Sequence, residues 1–196
     1  IFPEAKTVYQ MPGVFSRPPY ANMVSFDSGL LADSSKIREY TPDDNELNDL
    51  FELREKDELF LSSVSPTRHI VENIKREFSK VVLLPLQIDN YFMISSVLGE
   101  AKSQFDVLIE CLKKLSSDVA LLVTNYISRD TQSAVLSPES IKYLRSKYPN
   151  FKYFEETNLI PWVSQYLTKE VDGVITISSS LGYQAAYWGK PLLTLG

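Results

Sequence analysis

Three consecutive serines, Ser178-Ser179-Ser180, are followed by Leu181-Gly182. They separate an apolar stretch, Val174 to Ile177, from a short helical segment containing Ala185 and Ala186. A buried strand that empties into such a turn at a helix start makes an anion site. Serine hydroxyls, backbone N–H groups and the positive helix end converge there. The same residues also suit an ordinary serine cap on an α/β crossover. Ser179, Ser180 and Gly182 are therefore the candidates for a phosphate contact. Gly189-Lys190-Pro191 stops the helix, and Leu192 to Leu195 begins a further strand.

Other chemistries find few carriers. His69 is the only histidine, and its place near a helix start predicts a solvent-facing side chain, which disfavours Ser-His-Asp and Cys-His catalysis. Cys111 is the only cysteine; it falls in the helical pattern Phe105-x-x-Leu108-Ile109-x-x-Leu112 and reads as a small core residue. With these two residues and no carboxylates at ligand spacing, no protein-built metal site is expected, and no cofactor is called for. P-loop and dinucleotide glycine fingerprints are absent. Asp43, Asp44, Glu46 and Asp49 read as a solvated helix face, and Glu155-Glu156 as a strand end. The aromatic run Tyr143, Tyr148, Phe151, Tyr153 and Phe154 reads as core and edge filling rather than a platform for stacked bases.

The elements that position these residues follow from periodicity. Residues 1–40 are rich in Pro, Gly, Ser and Tyr and read as short extended pieces joined by turns. Thr41-Pro42 predicts a helix start with a threonine cap, the helix running to about Lys56, and Ser65-Pro66 opens a second helix with Ile70, Ile74 and Phe78 on one face. From Lys80 the texture changes. Val81 to Leu86 is a continuous apolar run, the mark of a strand covered on both faces. A helix at 101–116 follows, then strand 119–124, helix 138–148, strand 151–155, helix 160–170, strand 173–178, helix 181–188 and strand 191–195. This alternation predicts one parallel five-stranded sheet of Rossmann-like type over 81–196, preceded by a linking segment over 1–80. Ligands bind such sheets beyond the carboxyl ends of the strands. Gln87 to Tyr91, Asn125-Tyr126, Glu155 to Asn158 and Ser178 to Gly182 all follow strand ends and should share one crevice rim.

Bulk properties bound the partners. The 196 residues carry a net charge of −5, so the chain has no general attraction to nucleic acid or to anionic lipid. No run of eighteen apolar residues spans a membrane and no signal peptide is visible; with one cysteine this points to a reducing, cytoplasmic setting. The chain opens on Ile1 and stops on a strand-end Gly196, which reads as a fragment of a longer protein.

Several segments, in order, resemble one family. Ile177-Ser178-Ser179-Ser180-Leu181-Gly182-Tyr183-Gln184-Ala185-Ala186, continuing to Gly189-Lys190-Pro191-Leu192-Leu193-Thr194-Leu195-Gly196, is similar to the "Asn-Ser-Ser-x-Gly-x-Glu-Ala…Gly-Lys-Pro-Val…Gly" block of bacterial capsule-polysaccharide synthesis proteins, Kdo transferases of the two-Rossmann-domain (GT-B) type. Val82 to Asn90 resembles their "hydrophobic-Pro-Leu-Gln-Val-x-Asn-Asp" strand end. Gly13 to Tyr20 and Val24 to Gly29 are similar to their "Glu-x-Gly…Arg-Pro…Asp-x-x-Gly" entry segment. The ionisable positions depart from the pattern. The acid before Gly13 falls at Met11, beside Gln10; the aspartate after Gln87 falls at Tyr91, with Asp89 out of step. "Lys-x-His-Pro" becomes Thr124-Asn125-Tyr126-Ile127, and the glutamate of "Gly-x-Glu-Ala" becomes Gln184.

The resemblance implies the carboxyl-terminal half of a GT-B glycosyltransferase using a nucleotide-activated sugar, CMP-linked in the family, and a glycan or glycolipid acceptor in surface polysaccharide synthesis. It implies a place at the membrane only peripherally, through a larger assembly. Ser179, Ser180 and Gly182 would meet the phosphate, Gln87, Asn90 and Tyr91 the sugar, and Asn125 and Tyr126 the nucleotide, with Gln184 beside them. No residue is assigned as catalytic, because the acids that would carry proton transfer are missing. Two alternatives stay open: a degenerate pseudo-transferase that binds nucleotide or glycan or scaffolds a complex, and an unrelated α/β enzyme handling sugar nucleotides or phosphate.

Overall fold

A computed structural model describes residues 8–12, 15, 17–20, 23–27, 39–88, 94, 98, 101, 103–126 and 134–195. The chain divides into two compact units, Ile1–Val64 and Ser65–Gly196.

In the first unit, β1 (Tyr9–Pro12) pairs antiparallel with β2 (Val24–Asp27), Tyr9 opposite Asp27. Between them the buried rings of Phe15 and Tyr20 lie 4.6 Å apart. The helix α1 (Asp44–Val64) begins behind Asp43 rather than behind Thr41. The Asp43 carboxylate accepts the Glu46 N–H at 2.9 Å and the Glu46 carboxylate accepts the Asp43 N–H at 2.9 Å. This reciprocal capping satisfies two orphan donors and puts negative charge on the positive helix end, which a threonine cap does not match. α1 also runs eight residues past the expected end at Lys56, to Val64.

The second unit is the expected parallel sheet. Its strands are β3 (Lys80–Pro85), β4 (Val119–Thr124), β5 (Phe151–Lys152), β6 (Gly173–Thr176) and β7 (Leu192–Thr194), and every pairing is parallel. Helices α2 (Arg68–Ile74), α3 (Gln104–Lys114), α4 (Pro138–Lys147), α5 (Val163–Glu170) and α6 (Leu181–Tyr187) connect and cover them. The spatial order is β5-β4-β3-β6-β7. The chain steps outward from β3 to β5, then crosses back to β6 on the other side. This is the doubly wound arrangement, and its direction of winding reverses between β3 and β6.

Each strand face has its own core. Leu84, Leu121 and Val123 pack with Leu108, Leu112 and Leu144 on one side. Val81, Leu83, Ala120 and Leu122 pack with Ile70, Ile74 and Leu167 on the other. The period-two alternation within one continuous apolar run is what burial on both faces requires. Each fully buried leucine contributes roughly 1.5–3 kcal/mol. Ile70, Val71 and Ile74 of α2 belong to the core of the unit Ser65–Gly196.

Two boundaries differ from the periodicity and a third agrees with it. β5 stops at Lys152 because the Phe154 carbonyl accepts both the Thr157 N–H at 3.0 Å and the Thr157 hydroxyl at 2.6 Å, opening a 3₁₀ turn over Glu155–Leu159. α5 starts at Val163 because Trp162 sits in the left-handed region, φ 53°, and breaks the helix before it. α6 ends as expected at Gly189, φ 63°: the Lys190 N–H reaches the Ala185 carbonyl at 2.8 Å and the Gly189 N–H reaches that of Ala186 at 2.9 Å, a Schellman closure.

Candidate functional site

The winding reverses between β3 and β6, and doubly wound sheets take ligands in the crevice beyond the strands' carboxyl ends at such a reversal. β3 delivers Gln87 to it, and β6 delivers Ser178 to Ser180. The two meet directly: Gln87 Oε1 accepts the Ser178 N–H at 3.3 Å and the Ser178 hydroxyl at 3.2 Å. The backbone of Gln87 is fixed from the other side by Gln104, the first residue of α3 and 1% exposed. Gln104 Oε1 accepts the Gln87 N–H at 2.8 Å, and its Nε2 donates to the Gln87 and Ile88 carbonyls at 3.1 and 3.3 Å.

The serine turn is largely closed on itself. The Ser179 N–H goes to Thr176 Oγ1 at 3.1 Å, the Leu181 N–H to Ser179 Oγ at 3.3 Å, the Gly182 N–H to the Ser179 carbonyl at 3.1 Å and the Tyr183 N–H to the Ser180 carbonyl at 3.1 Å. The side chain of Ser179 therefore serves as a cap. Ser180 does not: its backbone is already helical, φ −59° and ψ −13°, so its hydroxyl makes no capping bond. The Ser180 N–H is the turn donor that no described residue takes up, and the Ser180 side chain is exposed.

The remaining sequence candidates separate. Asn125 is half-buried at the end of β4, and its amide is committed to Leu136: Nδ2 donates to the Leu136 carbonyl at 3.2 Å and Oδ1 accepts the Leu136 N–H at 3.3 Å. Tyr126 is 41% exposed. Gly182 is buried; a Cβ there would lie 3.3 Å from Thr176 Cγ2 and 3.6 Å from Leu192, so glycine allows α6 to approach the sheet closely. Gln184 is 1% exposed and faces the interior rather than the crevice surface. Asn90 and Tyr91 lie outside the described residues. The structure thus brings Gln87 together with the serine turn, and does not bring Gly182 or Gln184 to its surface. Gln104 was missed by the sequence reading. Its signal was present: 104, 107, 108, 111 and 112 form one buried helix face, and glutamine is its sole uncharged polar member with hydrogen-bonding capacity at both ends.

Buried hydroxyls line the neighbouring strand ends. Thr124 Oγ1 lies 2.7 Å from Ser164 Oγ, tying β4 to α5, and within α5 Thr168 Oγ1 donates to the Ser164 carbonyl at 2.7 Å. Charge gathers instead at the amino ends of the strands. Asp172, preceding β6, accepts the Val81 N–H at 2.9 Å and Lys75 Nζ at 3.1 Å. Burial opposes its charge, but the Val81 N–H and Lys75 outweigh burial and hold the carboxyl below its ordinary value. Burial, with Lys75 nearby, lowers Lys190. Asp118, preceding β4, is held low by hydrogen bonds from Ser116 and Ser79.

The other reactive types behave as structure. His69 is exposed, and Cys111 is buried, its thiol pushed up by burial. Among the described residues no group of His, Cys, Asp and Glu could hold a metal ion, and no helix is long and apolar enough to cross a membrane. A depression of about 370 Å³ lies away from the crevice, between α2 and β5, lined by Asn73, Glu77, Arg145, Phe151 and Lys152 among others. Its charges are already paired, Lys152 with Glu77 at 3.1 Å and Arg145 with Glu155 at 2.9 Å.

The fold defines a Rossmann-like α/β protein, of the architecture that nucleotide-binding enzymes commonly use. No protein-family model and no curated protein matches the chain.

Proposed function

We propose that the unit from Ser65 to Gly196 binds a nucleotide-activated sugar in the crevice between β3 and β6, as the donor-binding half of a glycosyltransferase of the GT-B type. The observation that carries this reading is the hydrogen-bonded meeting of Gln87 and Ser178 across the winding reversal of a parallel sheet. Catalysis by such a half is mainly positioning of the donor and stabilisation of the leaving phosphate. The motif resemblance of the Ile177–Gly196 stretch favours a CMP-linked acidic sugar as donor and surface polysaccharide as product. The test is titration of the protein with CMP, followed by backbone amide NMR. The reading expects saturable shifts at Gln87 and Ser178 to Ser180; saturable shifts confined to the depression beside Phe151 would contradict it.

One observation favours the binding-only reading over catalysis. Gln87, Asn125, Tyr126 and Ser178 to Ser180, the described residues that follow the carboxyl ends of β3, β4 and β6, carry amides and hydroxyls and include no carboxylate, imidazole or ammonium, and proton transfer by a positioned acid or base typically contributes about two to four orders of magnitude in rate. Incubation with CMP-Kdo and an oligosaccharide acceptor is then expected to release no CMP above a Ser179→Ala/Ser180→Ala control.

A further inference from the structure

The hydrogen bonds of the crevice fix which end of the Gln87 amide meets a ligand. A backbone N–H can only donate, so the atom that accepts from Ser178 N–H must be the carbonyl oxygen of the Gln87 side chain. The Ser178 hydroxyl reaches the same oxygen at 3.2 Å. Gln104 is oriented by the same logic: its oxygen must face the Gln87 N–H, which turns its NH₂ toward the Gln87 and Ile88 carbonyls. With the backbone clamped by Gln104 and Oε1 held by Ser178, the Gln87 side chain has one polar end left. Its Nε2 bonds no described residue, and Gln87 is half-buried at the mouth of the crevice.

We infer that Gln87 Nε2 is the crevice's ligand-facing donor, and that the ligand presents a hydrogen-bond acceptor there, a carbonyl or phosphoryl oxygen, and not an amine or another donor. This rests on the nucleotide reading above and narrows it. A donor group on the ligand would meet an N–H it cannot bond, whereas turning the amide to greet it would leave the Ser178 N–H facing NH₂. Selectivity for an acceptor is therefore built into strand pairing rather than into a charged side chain. The Ser180 N–H, also without a described partner, adds a second donor at the same rim.

The test uses side-chain amide NMR on the full chain, with the Gln87 NH₂ signal assigned by its loss in Gln87→Glu. That substitution keeps an acceptor for Ser178 and removes the outward donor. In the unliganded protein the Gln87 NH₂ protons are expected to exchange with water faster than those of Gln104; equal protection of the two would overturn the orientation without any ligand. CMP is then titrated, with cytidine and inorganic phosphate as separate arms. The Gln87 NH₂ signal is expected to shift with CMP and with whichever arm supplies the acceptor, identifying it as base carbonyl or phosphoryl oxygen. Gln87→Glu is expected to bind CMP about tenfold more weakly or worse, with its melting temperature unchanged. CMP binding that leaves the Gln87 signal unmoved, or equal affinity in Gln87→Glu, overturns the inference and leaves the nucleotide reading standing. Failure of all three probes to bind the wild type defeats the nucleotide reading and takes the inference with it.

Discussion

The two ends of the sheet are built from different chemistry. At the amino ends, charged groups bind backbone and each other: Asp172 holds the Val81 N–H and Lys75, and Asp118 holds Ser79 and Ser116. At the carboxyl ends of β3, β4 and β6 the work is done by amides and hydroxyls: Gln87, Gln104, Thr124, Ser164, Thr176 and the serine turn. Asp172 and Asp118 are engaged by these contacts and fix the strands. The neutral end keeps donors, Gln87 Nε2 and Ser180 N–H, that nothing described takes up. Perturbed ionisable groups often mark active sites; Asp172 and Asp118 are perturbed while holding backbone and side chains at the strands' amino ends.

The sharpest way to break this contrast is at Asp172. Asp172→Ala leaves the N–H of fully buried Val81 without its carboxylate, at a cost of about 1–3 kcal/mol in urea unfolding, while crevice binding is expected to stay intact. The pH dependence has a definite sign. A carboxyl held below its ordinary value stabilises the fold above the unfolded pKa of about 3.9 and loses that contribution as pH falls through the folded value. Wild type should therefore lose more stability than Asp172→Asn on acidification below about pH 4; parallel losses would show that Asp172 is not a scaffold charge. A similar loss, about 1–3 kcal/mol, is expected for Gly182→Val, since methyls added beyond a Cβ already 3.3 Å from Thr176 Cγ2 would overpack α6 against the sheet. Gly182→Ala keeps the backbone N–H and should leave CMP affinity unchanged if the glycine serves packing.

Smaller effects sharpen the local picture. Asp43→Ala removes the α1 cap and should cost about 1 kcal/mol, read as faster hydrogen exchange at Glu46. Ser180→Ala should change stability by less than about 0.5 kcal/mol, because its exposed hydroxyl caps nothing; a larger loss would restore it as the helix cap.

The parallel sheet was legible because strands buried on both faces leave an unbroken apolar run, as Val81 to Leu86 does. The strand order was not, since periodicity carries no information on which side of β3 the chain places β6. Local backbone events were hidden for a related reason: the Trp162 left-handed turn and the Thr157 bonds to Phe154 are tertiary choices among residues that would also suit a helix or a strand. At the site, Gln87 and the serines were legible as residues beyond strand ends. Their polarity was not, because it depends on Gln104 lying seventeen residues away and on a bond spanning from Gln87 to Ser178. The free N–H groups expected at the serine turn are mostly consumed by Thr176, Ser179 and Ser180, which moves the donor role toward Gln87.

The central claim is that ligand enters at the neutral, carboxyl-end crevice. The most direct measurement is a crystal structure of the chain soaked with CMP. The account predicts an acceptor oxygen of CMP within hydrogen-bond distance of Gln87 Nε2 and a second near the Ser180 N–H, with Asp172 and Lys75 untouched. CMP held by Lys75 or Lys190 at the amino ends, or in the depression beside Phe151, would contradict it.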